Sequence, residues 1–581
     1  MKKTLLMMAI FTGLFFGGIP LLSSGITIKK SYQNSFFKYL VKAQDNLQTQ
    51  QITKSESFGG GWERVARDGF DDLNNDYAWA MSTYTDPEGT EWLYVGTLNA
   101  TPYGSEAKVY RSPDGENWEF VTSFPGCDGV RGATEYAGLL WLGTLSSQQG
   151  CQIWVTDGTE WVKANQNGFS IGARATRGIT EYRGKLYADA GQLVNGESAH
   201  IFRYEGNIEE GNLNSIDPNL WEDITPDWDN PVNSISEMVE FQGDLYVGTF
   251  ARSVVGGAFS GLGCEVWQYD GDGTGSWKRV NEPGFGNPKN GAILCMTVFK
   301  NKLYAGTQNF IIPEEGGEIG DIQELADGAE VWRWDGESWE CVVPYGNPGG
   351  GDERIDNMYI WRMIEYNGEL VIGTMNLLQG GELWASKTGD TGSFVLINDP
   401  GMRLDTKRIP VCFEVNGIPY KTNLSEQYGI RSVAKFKDKL YVGTATWAYF
   451  VDRIFFSPQG LNLACPDASE GTYPYSPHVG CEIWRIEKLP QKYLPLLIYP
   501  NPCNLSTNQE ITIDRLPPGA TVFIYTISGE FVRCLKPQWP SPEKVRWDCR
   551  NERGETVARG IYIVFVKSYT ETRTGKIAII K

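Results

Sequence analysis

Along most of this chain, apolar and polar residues alternate in short runs, and one apolar pentapeptide keeps returning. It reads Leu93-Tyr94-Val95-Gly96-Thr97, Leu140-Trp141-Leu142-Gly143-Thr144 and Leu245-Tyr246-Val247-Gly248-Thr249. It returns as Leu303-Tyr304-Ala305-Gly306-Thr307, Leu370-Val371-Ile372-Gly373-Thr374 and Leu440-Tyr441-Val442-Gly443-Thr444, and a degenerate copy, Leu186-Tyr187-Ala188-Asp189-Ala190, fills the gap in the series. Before each copy lies an alternating segment that ends in an aromatic, such as Gly178-Ile179-Thr180-Glu181-Tyr182. After it comes a second apolar run, such as Cys264-Glu265-Val266-Trp267 or Gly381-Glu382-Leu383-Trp384. A last short run follows a tight turn, as in Asp335-Gly336-Glu337-Ser338-Trp339. Period-two alternation marks strands, and Asp-Gly supplies the positive φ of a tight hairpin. Each unit is therefore predicted to be a four-stranded antiparallel meander.

A β-rich unit repeating every roughly 45 to 70 residues signals a propeller in which each repeat is one blade. Seven units are present, so the predicted fold class is all-β: a seven-bladed β-propeller followed by a small C-terminal Ig-like β-sandwich. The seventh unit lacks its fourth strand, because Trp484-Arg485-Ile486 runs straight into Lys488-Leu489-Pro490. The missing strand is found at the other end. Trp62-Glu63-Arg64-Val65 followed by Gly69-Phe70 matches Trp277-Lys278-Arg279-Val280 followed by Gly284-Phe285. Closing the ring in this way would remove open sheet edges. The predicted organisation is a signal peptide at 1–25, a linker at 26–57, the propeller at 58–490 and the sandwich at 496–581.

Met1-Lys2-Lys3 followed by an apolar run to Leu22 and the small residues Ser23-Ser24-Gly25 carries the pattern of a secretory signal. A secreted or outer-surface location is therefore expected, with no membrane association beyond the signal or a surface attachment. The formal net charge of −19 argues against nucleic acid as a partner. No cofactor is expected, and calcium is the one ion such an acidic surface would draw. With 2 His and no CxxC among 11 Cys, a zinc site is not expected. Cys465 with Cys481, and Cys534 with Cys549, flank short segments and are the pairs expected to form disulfides.

The segment from Leu496 onward carries Tyr499-Pro500-Asn501-Pro502, Ser528-Gly529-Glu530, Trp547-Asp548, Gly560-Ile561-Tyr562 and Gly575-Lys576-Ile577 in that order. These motifs resemble the type IX secretion C-terminal sorting domain and the related Ig-like domain of flagellar hook-capping proteins. The resemblance implies an export address, with the secretion translocon as partner, and no catalysis. Cys549 follows Asp548 where that family commonly has Gly. Separately, Ser112-Pro113-Asp114-Gly115-Glu116-Asn117-Trp118 resembles the Asp-box of sialidases and related kelch-like repeat propellers. In those families the box is a structural hairpin.

The loop lengths indicate where a ligand would bind. The first-to-second and third-to-fourth turns are short. The long connections, such as 308–328, 398–428 and 445–480, all leave one face. Loops on a rigid scaffold carry function. Near the start of each innermost strand lies a column formed by Trp79, Arg131, Arg177, Ser236, Leu294, Trp361 and Arg431. Its Arg and Trp residues would grip a carboxylate and stack on a sugar. Trp447 and Tyr449, in the 445–480 loop, would extend the contact. The expected activity is binding of a glycan or an extracellular protein, leaning against an enzyme because no catalytic set is recognisable. The alternatives are a sialidase-like hydrolase and a structural envelope component. The Arg-Ile-Pro motif of sialidases occurs here only far downstream, at Arg408-Ile409-Pro410.

Overall fold

The computed structural model describes residues 61–489 and 496–580, apart from 102–103, 252–261, 272–276, 310–326, 350–356, 377–378, 399–401, 403–407, 416–417, 426, 447–479, 507–509, 518–519, 538–543 and 569–571. The segments read above as signal peptide and linker, together with Cys465, Trp447 and Tyr449, lie outside the described residues.

Among the described residues, the strands pair into seven four-stranded antiparallel meanders. Their innermost strands are Tyr77–Thr85, Gly129–Tyr136, Ile179–Tyr182, Val232–Phe241, Asn290–Phe299, Tyr359–Tyr366 and Gln427–Phe436. Each of these pairs with the strand that carries the pentapeptide. The seventh meander takes its outermost strand from the other end of the chain. Glu63–Ala66 pairs with Ile483–Ile486, with Glu63 opposite Arg485 and Arg64 opposite Trp484. Single bridges join one blade to the next, for example Leu98 to Gly129, Met375 to Gly429 and, across the closure, Ala445 to Tyr77. This is a seven-bladed β-propeller. The connection at 398–428 contains a hairpin of its own, Arg408–Val415 with Ile418–Ser425.

The fourth and fifth pentapeptide positions explain why the pentapeptide recurs. A Cβ at Gly248, Gly306 or Gly373 would lie 2.6 Å from Ile293, Ile360 or Ile430 of the following blade, closer than atoms can pack. Glycine therefore sets the spacing between blades. The following Thr hydroxyl accepts the backbone N–H that opens the third strand, from Gln152, Glu265, Glu330, Glu382 and Glu482, at 2.8–3.1 Å. Thr97 does the same for Lys108 at 3.1 Å. A further side-chain bond fixes each third-strand Trp: the indoles of Trp267, Trp332, Trp384 and Trp484 donate to the Glu two residues earlier at 2.8–2.9 Å.

Aromatic contacts bind blade to blade. Phe70 stacks on Tyr110, Phe169 on Phe202 and Phe285 on Trp332, with ring centroids 4.3–4.6 Å apart. These Phe residues follow glycines in left-handed backbone, Gly69, Gly168 and Gly284, which turn the chain from one blade to the next. Outer-strand tryptophans reach back to the preceding blade. Trp277 donates to Ile224, Trp339 to Val280 and Trp62 to Ile397, the last at 2.7 Å.

The C-terminal segment forms a β-sandwich. One sheet contains Leu497–Tyr499, Ile511–Asp514 and Lys544–Trp547, and the other has five strands, from Cys503–Asn504 to Thr572–Ile580. Trp547, Ile513, Val522, Val564 and Ile577 fill the space between them. The expected pairing of Cys534 with Cys549 needs correction. The sulfur facing Cys549 is that of Cys503, at 4.0 Å. Both are buried between the sheets, whereas Cys534 is only half-buried.

Trp62 is 4% exposed and packs with Ile397, Met402 and Trp484 in one core cluster. Trp62→Ala removes this packing and the bond to Ile397. It is expected to destabilise the protein by about 3–5 kcal/mol, as buried Trp truncations do. A urea melt showing less than about 1 kcal/mol of loss would mean that the closing strand is not stably docked.

Candidate functional site

The residues of the sequence column owe their direction to a backbone irregularity. In six blades, the innermost strand carries a β-bulge opposite the pentapeptide Gly. In the first blade, Ala78 faces Thr97 and Ala80 faces Gly96, so Trp79 is the extra residue. Arg131, Ser236, Leu294, Trp361 and Arg431 occupy the same place in their own blades. The extra residue is one side chain per blade that is freed from the alternation. Ala78 packs toward the seventh blade and Ala80 toward the second, and Trp79 between them turns inward. The third blade achieves the same end differently. Its pentapeptide has Asp189 in place of Gly, and the carboxylate accepts the N–H groups of Arg177 and Gly178 at 2.5 and 2.9 Å.

Contacts that skip a blade place these side chains in the central channel. Arg177 donates to the carbonyl of Leu294, two blades on, at 2.5 Å. Arg362 of the sixth blade faces Glu237 of the fourth at 3.8 Å. Trp361 meets Tyr77 across the seventh blade, with centroids 6.4 Å apart. Arg431 is layered between two indoles, its guanidinium 4.9 Å from Trp361 and 5.1 Å from Trp79. Arg131 lies against Trp79 as well, at 4.9 Å. The structure thus brings Arg131, Arg177, Arg431, Trp79 and Trp361 together, all of them buried. Toward the long connections, Tyr77 and Tyr359, two residues before Trp79 and Trp361, and Tyr428, three residues before Arg431, form an aromatic collar, with the Tyr77 and Tyr428 hydroxyls hydrogen-bonded to each other.

The charge in this channel is uneven. Among the described residues, Glu237 is the carboxylate near Arg177 and Arg362, and the sealed Asp189 feels the charge of Arg131. Burial, followed by the repulsion of Arg362 and Arg131, pulls Arg177 well below its ordinary range. Burial, followed by Arg362, Arg177 and Arg131, does the same to Arg431. Burial raises Glu237, and Arg362 and Arg177 work against the shift. The Glu237 side chain keeps 33% of its surface, so a solvent-sized space lies beside it. Column positions alone did not single out Arg362 or Glu237, although each directly follows a column residue. Asp189 was legible as the one departure from Gly in the repeat.

The remaining expectations fall elsewhere. The acidic loop residues Glu314, Glu315, Glu318 and Asp321, which the sequence also offers as partners for the arginines, lie outside the described residues. The segment that resembles an Asp-box forms an outer hairpin: Asp114 accepts the N–H groups of Glu116 and Asn117, both at 2.8 Å, between the two outer strands of its blade. Among the described residues, no group of three or more His, Cys, Asp or Glu is placed to hold a metal ion.

The fold makes this chain a β-propeller protein with a C-terminal β-sandwich. No protein-family model matches it and no curated protein matches it. Among solved structures it is similar to PorZ of Porphyromonas gingivalis, an essential bacterial surface component of the type-IX secretion system. The identity is 14% and the TM-score 0.41, over 87% of this chain and 60% of that one, so this chain spans less than two thirds of the PorZ structure. It is also similar to an α-L-arabinofuranosidase of Clostridium thermocellum, with 13% identity and a TM-score of 0.27 over 46% of this chain and 94% of that one. An α-L-arabinanase of Penicillium chrysogenum matches with 10% identity and a TM-score of 0.29, over 55% of this chain and 94% of that one.

Asp189 gives the site a pH signature. Burial pushes its carboxyl up from 3.8 to about 7, against the pull of the Arg177 N–H and the Arg131 charge. Between these limits the folded state holds a proton that the unfolded chain has released, so this group's contribution to stability falls as pH rises from about 4 to 7. Asp189→Asn keeps an oxygen for the two N–H groups and removes the ionisation. The melting temperature of the variant is expected to gain on the parent protein by a few degrees across that window. Calorimetry showing a constant gap from pH 4 to 8 would count against a buried, titrating Asp189.

Proposed function

We propose that this is a secreted or outer-surface binding protein. It takes a glycan or an extracellular protein at the long-connection face of its propeller, and its C-terminal sandwich serves export or surface attachment through the type IX machinery. The observation that carries the binding reading is the gathering of Arg131, Arg177 and Arg431 with Trp79 and Trp361 in one channel. A channel with only a structural role is most cheaply filled with apolar side chains, because buried like charges repel and lose hydration. Guanidinium groups flanked by indoles suit a ligand that presents a carboxylate beside an apolar or sugar surface. Trp447 and Tyr449 are the loop residues assigned to the outer part of that contact.

The export reading is supported by the ordered motifs from Tyr499 to Lys576 and by their folding as a separate sandwich with its own core. The apolar leader after Met1-Lys2-Lys3 fits the first stage of the same route.

Two experiments test these assignments. Replacing Arg131 and Arg177 together by Ala is expected to abolish ligand capture on a glycan array or in a pull-down while the melt stays cooperative. An unchanged binding profile removes the channel from the ligand site. Deleting residues 496–581 is expected to leave a folded propeller inside the outer membrane. Normal surface display of the truncated chain would refute the sorting role.

A further inference from the structure

We propose that the channel holds one small oxyanion, a carboxylate or a phosphate, against Arg177, Arg362 and Arg431. The inference deepens the binding reading above and rests on the channel being a ligand centre.

The argument begins with the donors. A guanidinium keeps its proton in a protein, so each of these groups must find acceptors or remain an uncompensated buried charge. Arg177 is 7% exposed and Arg431 3%. The Nη2 of Arg177 has the Leu294 carbonyl, but its Nε has no acceptor among the described residues. Neither Nε nor Nη1 of Arg431 has one. The Nε of Arg362 donates to the Arg431 carbonyl at 3.0 Å, which ties the two residues together. Its Nη1 stands 3.8 Å from Glu237, too far for a hydrogen bond.

Among the described residues, Asp189 and Glu237 do not meet this demand. One oxygen of Asp189 is committed to the Arg177 and Gly178 backbone, and its carboxyl is pushed toward neutrality. Glu237 is a loose partner beside a solvent-sized space. Among the described residues, that space, the idle N–H groups and the surplus of positive charge together describe an anion site. The geometry also selects the kind of anion. The indoles of Trp79 and Trp361 hold the Arg431 guanidinium between their faces, leaving its edge to donate. A planar fork of N–H groups matches two oxygens on one centre better than a spherical ion. The collar of Tyr77, Tyr359 and Tyr428 limits the occupant to a small ion or to one acidic group of a larger ligand.

The test uses the full chain and three probes at matched ionic strength: sodium phosphate, sodium acetate and sodium chloride. Thermal melts and titration calorimetry should show saturable stabilisation by phosphate or acetate and none by chloride beyond a general salt effect. Arg431→Gln should weaken the oxyanion at least ten-fold. Glu237→Gln, which removes the competing carboxylate while keeping a similar shape, should tighten it several-fold. If Arg431→Gln does not fold, the Glu237→Gln result decides alone. No saturable binding in either the parent protein or Glu237→Gln, or equal binding of chloride, overturns the proposal. Oxyanion binding combined with a glycan-array profile unaffected by the Arg131 and Arg177 replacements would sink the surface-ligand reading and leave the anion centre standing. Loss of array binding with no response to free phosphate or acetate would do the reverse.

Discussion

The architecture depends on how closely one blade can approach the next. The Gly of each pentapeptide lets the neighbouring inner strand lie against bare backbone, and the Thr beside it anchors the start of the third strand. These two adjacent residues set the separation between blades and the register within a blade. Any larger side chain at the Gly would push the next blade outward. In a closed ring such a displacement cannot be absorbed locally, because every blade has two neighbours. The recurrence of Gly-Thr is thus a requirement of ring geometry.

The same spacing produces the channel site. Opposite each Gly the inner strand carries one residue more than its partner, and this bulge residue is the one side chain per blade free to serve something other than sheet packing. A repeat that is nearly identical in its structural positions can therefore vary at this point without disturbing the blade. Here the variation is concentrated in Arg and Trp on some blades, with Ser236 and Leu294 on others. The third blade shows the tolerance of the scheme. It has lost both Gly and Thr, and Asp189 supports the start of the inner strand with its own carboxylate.

Much of this could be read from the chain because the governing contacts are local or repeat with the period of the blade. Leu-Tyr-Val-Gly-Thr marks an inner pair of strands wherever it occurs, and Trp62 followed by Gly69-Phe70 carries the signature of an outer strand. The column containing Arg131, Arg177 and Arg431 was legible for the same reason. Its degree of enclosure was not, because that depends on which blades have Tyr two or three residues earlier, as at 77, 359 and 428, and which have Gly129, Ala175, Ser234 or Ala292. Glu237 and Arg362 meet across the ring, a relation that no sequence spacing encodes. The neighbour of Cys549 was missed for a like reason. Cys534 is closer along the chain, but the stacking of two sheets brings Cys503 to it.

The joint between Glu63–Ala66 and Ile483–Ile486 also governs the timing of assembly. Arg64 and Glu482, which meet at 2.8 Å across it, are 418 positions apart in the chain. Contacts of such long range form late. A nascent or translocating chain would present the first-made strand long before its partner exists, and six blades would stand with an unpaired flank in the interval. A cell handling this protein would need to shield that flank from other chains, or deliver the polypeptide to its destination before the circle can shut.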